Sequence, residues 1–125
     1  MKTYYLVASR NSPDTDVSKL DAVIKRFDAK PHEDCVWKFE HEELPKSDFI
    51  QLHLDLNHHF TYFVSEVCEG ADLHPLTNDP YLRFHYGRLK DEQRFLFDSV
   101  LRAAIEILQR HEAQIGQDEE KQSTE

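Results

Sequence analysis

Apolar and polar positions alternate in some segments of this chain and recur at helical spacing in others. Residues 3–9 contain Tyr-Tyr-Leu-Val-Ala, which favours a strand at or near the centre of a sheet. Between Asp16 and Asp28, five apolar residues recur at helical spacing behind a cluster of capping residues, which predicts an amphipathic helix. Residues 35–40 alternate again, so they predict a second strand, antiparallel to the segment that follows.

The clearest alternation lies in residues 50–56, where every second residue is Ile or Leu. A period of two predicts a strand with this apolar set in the core, Leu54 included. The other set, Gln51, His53 and Asp55, would then project together from the opposite face of the sheet.

The next segment, residues 57–69, fits two structures. Its apolar spacing fits a helix between the capping residues Asn57 and Gly70. Its β-prone composition fits a strand that forms a hairpin with residues 50–56. The pattern leaves both open.

The C-terminal half is predicted to end in the longest helix of the chain. Two prolines predict a loop over residues 71–80, residues 81–87 predict a short strand, and the spacing over 91–114 predicts a helix that ends at Gly116. A disordered acidic tail is expected over residues 116–125.

These elements predict an α+β fold: a small single domain over residues 1–115, in the order β-α-β-β-[α or β]-β-α. The sheet would be mainly antiparallel, with the long C-terminal helix packed on one of its faces. A helix at 58–69 would give a split βαβ arrangement with an added helix, whereas a strand there would give an antiparallel meander backed by two helices. In either case the helices lie on one face of the sheet, and the other face is free to bind a ligand or partner.

Composition supports a domain that folds alone. The chain has 125 residues, of which 39% are hydrophobic and 31% charged, which is enough to bury a core. It contains two cysteines. It has no apolar run of membrane-spanning length and no apolar N-terminal segment as long as that of a signal peptide. We therefore expect a soluble cytoplasmic protein with reduced thiols.

The charge is negative and unevenly distributed. The net charge is −9, and residues 32–72 contain ten acidic residues against two basic ones. Such a chain repels phosphates, so nucleic acids and anionic membranes are poor candidates as direct ligands. A basic protein fits the charge better.

The histidines raise the question of a metal or catalytic site. Five of the eight lie within residues 32–72. In a strand, His53 and Asp55 could join His58 or His59 as metal ligands or as catalytic groups. No His-Glu-x-x-His or Cys-x-x-Cys motif accompanies them, and the three glycines form no phosphate-binding loop. We expect no cofactor.

Aromatic residues beside carboxylates favour a protein interface. Trp37 and Phe39 share a predicted strand with acidic residues, and aromatic anchors framed by acids suit a basic partner. The predicted partner-binding residues are Trp37, Phe39, Glu40, Glu42, Glu43, Gln51, His53 and Asp55.

The favoured hypothesis is a small acidic cytoplasmic protein that binds and inhibits a basic partner, such as a toxin or nuclease. Bacterial immunity and antitoxin proteins have this general build, an analogy at the level of the fold. Two alternatives remain open. One is a metal-dependent or histidine-based enzyme that uses His53, Asp55, His58 and His59, and the other is a homodimeric, ligand-binding regulatory domain.

Overall fold

The computed structural model describes residues 2–42, 44–66, 76–84 and 97–123. Residues 80–84 are helical, and the remaining elements within these ranges are, in chain order, β1 (Lys2–Arg10), α1 (Ser18–Phe27), β2 (Lys30–Glu33), β3 (Val36–His41), α2 (Lys46–Leu56), β4 (Phe60–Glu66), β5 (Leu76–Thr77) and α3 (Phe97–Ser123).

The five strands form one antiparallel sheet in the order β2-β3-β1-β4-β5. The connection from β1 through α1 to β2 passes over β3, and the connection from β3 through α2 to β4 passes over β1. This is the split βαβ connectivity of ferredoxin-like folds, with β5 added at one edge. The predicted α+β class, the mainly antiparallel sheet and the central position of the first strand are confirmed.

Alternating residues of the strands serve two separate cores. Tyr4, Leu6 and Ala8 of β1 are buried in the cluster that also holds the apolar residues of α1 and α2. Val7 lies on the opposite face and packs in a second cluster with Ile105 of α3. The C-terminal helix is therefore packed on one sheet face, as predicted, and α1 and α2 cover the other. The prediction of a free sheet face is wrong, because helices lie on both faces of the sheet in the described part of the chain.

The prediction of a strand over residues 50–56 is wrong, because this segment belongs to helix α2. Leu52 and Leu56 are fully buried, whereas Ile50 and Leu54 are 53% and 63% exposed. An alternating run of four apolar residues also contains two pairs at the i, i+4 spacing of a helix, and the sheet buries only one of these pairs. Leucine is moreover a good helix former, and the run lacks β-branched residues after Ile50.

Residues 60–66 form a strand, so the strand alternative for this segment is confirmed. The antiparallel meander predicted to accompany this strand is wrong, because the sheet order gives the split βαβ connectivity instead. The predicted hairpin with residues 50–56 is wrong, since β4 pairs with β1 on one side and β5 on the other. The second strand, β3, likewise pairs with β1 and β2 and not with the segment that follows it. The edge strand β2 was not predicted.

The C-terminal half differs from expectation mainly at the boundaries of its elements. Residues 80–84 are helical, so the strand predicted over 81–87 is wrong for 81–84, and 85–87 lie outside the described residues. Helix α3 continues past Gly116 to Ser123. The start of the predicted helix, residues 91–96, is also outside the described residues, and the division into a domain and a disordered tail stays a prediction.

None of the helices in the described ranges is both long and apolar enough to cross a membrane.

Candidate functional site

A cavity of about 490 Å³ opens at one end of the sheet. It lies where β1 ends and β4 begins, and its walls also come from α1, α3 and the turn between β2 and β3. The volume falls within the range typical of ligand pockets. We refer to it as the sheet-end cavity.

The floor of the sheet-end cavity is formed by core side chains. Phe60 is fully buried, and Ala8 and Leu20 are 2% and 8% exposed. Trp37 of β3 is half-buried and also lines the cavity, and Val17 is 49% exposed at its mouth. The cavity is therefore aromatic and aliphatic inside and open to solvent at the end of α1.

An ion pair between β1 and α3 forms the polar side of the cavity. The backbone N–H of Arg10 donates to Glu112 Oε2 at 2.9 Å, and Arg10 Nε donates to Glu112 Oε1 at 2.7 Å. Both side chains are mostly buried, at 21% and 28% exposure. Charge-assisted bonds of this kind are short and directional. Next to them, Ser9 Oγ hydrogen-bonds His111 Nδ1, so two consecutive residues of β1 hold the same turn of α3.

The two-residue turn between β2 and β3 forms the rest of the mouth. Gln109 of α3 donates to the carbonyl oxygen of Asp34 at 2.8 Å and to Glu33 Oε1 at 3.2 Å. Cys35 has a φ of 65°, and its carbonyl accepts from the N–H of Ala8 at 3.0 Å. This turn is thus tied to both β1 and α3.

The electrostatics of the cavity are negative. Arg10 carries +1, and Asp34 and Glu112 carry −1 each, so the charged lining residues sum to −1. Within the described ranges, the exposed Asp34 carboxylate has no ion-pair partner, whereas Glu112 is engaged by Arg10. Burial, followed by the charges of Glu112 and Asp34, raises the pKa of the Cys35 thiol to about 11. The thiol is therefore neutral at physiological pH.

A second cavity of about 460 Å³ lies beside edge strand β2. Its charged lining residues balance, because Lys30 and Lys38 oppose Asp28 and Glu40. Lys30 also forms an ion pair with Asp28 at 2.9 Å. This cavity has neither the net charge nor the tryptophan of the first.

The residues predicted around Trp37 do not form one surface. Phe39 is 2% exposed and stacks in the core on Tyr4 and Phe27, at ring distances of 5.1 Å and 5.0 Å. Glu40 and Glu42 are exposed, but they lie at the opposite end of β3 from the cavity, because His41 pairs with Lys2. Glu43 is outside the described residues.

The predicted residues on α2 stabilise the helix layer. Gln51 donates to Asp55 Oδ1 at 2.9 Å, and Arg26 of α1 pairs with Asp55 Oδ2 at 3.4 Å. His53 and the Tyr62 hydroxyl share a hydrogen bond of 2.5 Å. These three side chains belong to a helix that covers the sheet, so they do not project from a sheet face as predicted.

The alternative metal ligands are not brought together. His53 faces Tyr62, Asp55 faces α1, and His58 and His59 are exposed in the turn after α2. Among the residues that the structure describes, no group of three or more His, Cys, Asp or Glu side chains could hold a metal ion. Cys35 is a free thiol, and Cys68 is outside the described residues.

Of the predicted residues that the structure describes, Trp37 alone lines the sheet-end cavity. The sequence reasoning missed Arg10, Asp34, Gln109 and Glu112. Arg10 directly follows a strongly predicted strand and Asp34 directly precedes one, and strand ends were the one available signal. The chain is similar to no known protein family, curated protein or solved structure at a significant level.

Proposed function

We propose that this protein binds a basic protein partner through the sheet-end cavity and inhibits that partner. The observation that supports this proposal is an aromatic cavity with a net charge of −1 and an exposed Asp34 carboxylate at its mouth, without an ion-pair partner in the described ranges. Interface anchors are commonly aromatic or arginine side chains that fill pockets, and an unpaired carboxylate favours a cation.

The net charge of the whole chain supports the same proposal. At −9, the protein attracts a basic partner over roughly 8 Å at physiological ionic strength, and the cavity would then fix the orientation of the complex. In this proposal the protein acts in the bacterial cytoplasm in the manner of immunity and antitoxin proteins, by covering a basic toxin or nuclease.

The chemistry of Cys35 favours binding over catalysis at this site. A nucleophilic cysteine needs a lowered pKa and a neighbouring cation or base. Cys35 has a raised pKa, about 11, because it is partly buried and faces Glu112 and Asp34. The thiol is thus a neutral part of the cavity wall.

The cavity also favours a second candidate, a domain that binds a small ligand, because about 490 Å³ suits a small molecule as well as a side chain.

A protein partner and a small ligand are distinguished by cross-linking. A photo-reactive amino acid replaces Val17 at the cavity mouth, and the matched control carries it at Ile50 on α2, with exposures of 49% and 53%.

The expected result is a covalent adduct with a basic protein in the native cell from position 17 and none from position 50. Association of the identified partner is then measured for Asp34→Lys and for Glu42→Lys, which make the same charge change at opposite ends of β3. Asp34→Lys should slow association about tenfold and weaken its dependence on salt. An effect of Glu42→Lys alone would move the site to the far end of β3 and overturn the proposal.

A further inference from the structure

We propose that the sheet-end cavity is a receptor for an arginine side chain of the partner, an inference that rests on the proposed function. The cation would lie between the Asp34 carboxylate and the ring of Trp37, which line the same cavity.

The shape of the cavity suits a long side chain that enters from the mouth. Its outer part is formed by the exposed residues Val17 and Asp34, and its inner part by Phe60 and Ala8, which are 0% and 2% exposed. An arginine whose guanidinium lies beside Asp34 would keep its charged end in the outer part of the cavity and its methylene groups against the aliphatic surface of Val17. Arginine side chains normally bury these groups in this way while the charged end keeps polar partners.

The charges leave one carboxylate for an incoming cation. Both oxygens of Glu112 already accept from Arg10, at 2.7 Å and 2.9 Å. Asp34 offers two carboxylate oxygens, while its carbonyl is held by Gln109 at 2.8 Å. The backbone of the turn that carries Asp34 is therefore anchored beside the cavity.

The aromatic wall favours a planar cation over a compact one. A guanidinium stacks on an aromatic ring and binds a carboxylate through two parallel hydrogen bonds, whereas an ammonium acts as a point charge. Trp37, which has the strongest cation-binding ring among the aromatic residues, lines the same cavity as Asp34. The expected preference is arginine over lysine, and lysine over any neutral isostere.

The chain provides its own reporter for this site, because Trp37 is its single tryptophan. The full chain is titrated with the blocked tripeptide acetyl-Gly-Arg-Gly-amide, and with the same peptide carrying lysine or citrulline in place of arginine. Citrulline keeps the shape of arginine without its charge. Trp37 fluorescence should change in a saturable manner with the arginine peptide, about tenfold more weakly with the citrulline peptide, and to an intermediate extent with lysine.

Two variants test the position of the cation. Asp34→Asn should weaken binding of the arginine peptide about tenfold, and Glu42→Gln, the same change at an exposed residue at the far end of β3, should leave it unchanged. Equal binding of the arginine and citrulline peptides, or equal effects of the two variants, would overturn the arginine receptor.

A second measurement keeps the test decisive if the fluorescence change is small. Burial contributes most to the raised pKa of Cys35, and the charges of Glu112 and Asp34 add to it, so a bound guanidinium should lower this pKa. The arginine peptide should therefore shift the pH dependence of Cys35 alkylation, measured by peptide mapping, to lower pH, and the citrulline peptide should not. No change with either peptide in both measurements would end the inference, while the cross-linked partner and its association rates judge the proposed function separately.

Discussion

At the level of single residues, the cavity follows from the order of side chains along β1. Tyr4, Leu6 and Ala8 share the face beneath α1 and α2, and all three are buried. Their size falls steadily toward the end of the strand. Small side chains on a closely packed sheet leave space that neighbouring residues cannot fill by themselves. Ala8 is therefore the residue that lets Trp37 and Phe60 border an open volume.

The pH dependence of Cys35 alkylation is the prediction that belongs to this scale. Only the thiolate reacts, and the pKa of Cys35 is raised from an ordinary value of 9.0 to about 11. The alkylation rate should therefore still be rising steeply between pH 9 and pH 11. Peptide mapping by mass spectrometry separates Cys35 from Cys68 in the same sample.

Asp34→Asn removes one of the charges that raise this pKa, so the variant should react faster than the wild type at pH 9. Glu42→Gln serves as the control and should match the wild type. A rate that levels off near pH 9 in the wild type would mean that Cys35 is neither buried nor close to these carboxylates.

At the level of elements, α2 shows that the alternating apolar pattern of residues 50–56 belongs to a helix. Its buried residues are Leu52 and Leu56, one turn apart, and its outer face carries Ile50 and Leu54. The two leucines next to each other in the alternating pattern therefore have opposite environments.

This difference predicts the effects of two matched substitutions. Leu52→Ala should lower the free energy of unfolding by about 2 to 5 kcal/mol, because it leaves a cavity in the core. Leu54→Ala, the same chemical change at a 63% exposed position, should change it by less than about 0.5 kcal/mol. Urea denaturation of both variants measures the difference. Similar losses for the two leucines would restore the strand interpretation of residues 50–56.

The elements that the sequence predicted well are those in which one period dominates. β1 and α1 each contain one unambiguous pattern, and both occur close to their predicted positions. Residues 50–56 contain a period of two and i, i+4 pairs together, so only the packing of the sheet could decide between them. The exposed edge strand β2 includes Pro31 and lacks any apolar alternation, which left no signal to detect.

The cavity could not be predicted from the same patterns. Its walls come from five parts of the chain, from β1 near Arg10 to α3 near Glu112, and only the sheet order brings them together. Trp37 could be predicted as a site residue because it is an aromatic residue close in sequence to several acidic ones. Gln109 has no local feature that separates it from other surface residues, and the one signal for Asp34 is its place directly before a predicted strand.

At the level of the whole molecule, the burial of a thiol and a phenol in their neutral forms should make the protein less stable at alkaline pH. Burial raises the pKa of Tyr62 from 10.0 to about 12 and contributes most to the raised pKa of Cys35. The folded state favours the neutral forms of both groups. Their contribution to stability is complete below the ordinary pKa values of 9.0 and 10.0 and is lost as the pH rises toward 11 and 12.

Thermal unfolding between pH 8 and pH 12 should show this loss. The melting temperature of the wild type should fall as the pH rises above about 9. Tyr62→Phe removes one titrating group, so its curve should fall less steeply between pH 10 and pH 12, whatever its melting temperature at pH 8. Tyr81→Phe alters a tyrosine that is 60% exposed and should keep the slope of the wild type. Parallel curves for the wild type and Tyr62→Phe would contradict the burial of Tyr62.

The central position of β1 also has a consequence during synthesis on the ribosome. Both neighbours of β1 in the sheet, β3 and β4, are translated after it, and the second one ends at Glu66. At elongation rates of about 5 to 20 residues per second, the 56 residues from Arg10 to Glu66 take roughly 3 to 11 seconds. Both backbone edges of Tyr-Tyr-Leu-Val-Ala stay unpaired until β3 is complete at His41, and one edge stays unpaired until Glu66, so this apolar segment is open to wrong pairing during synthesis.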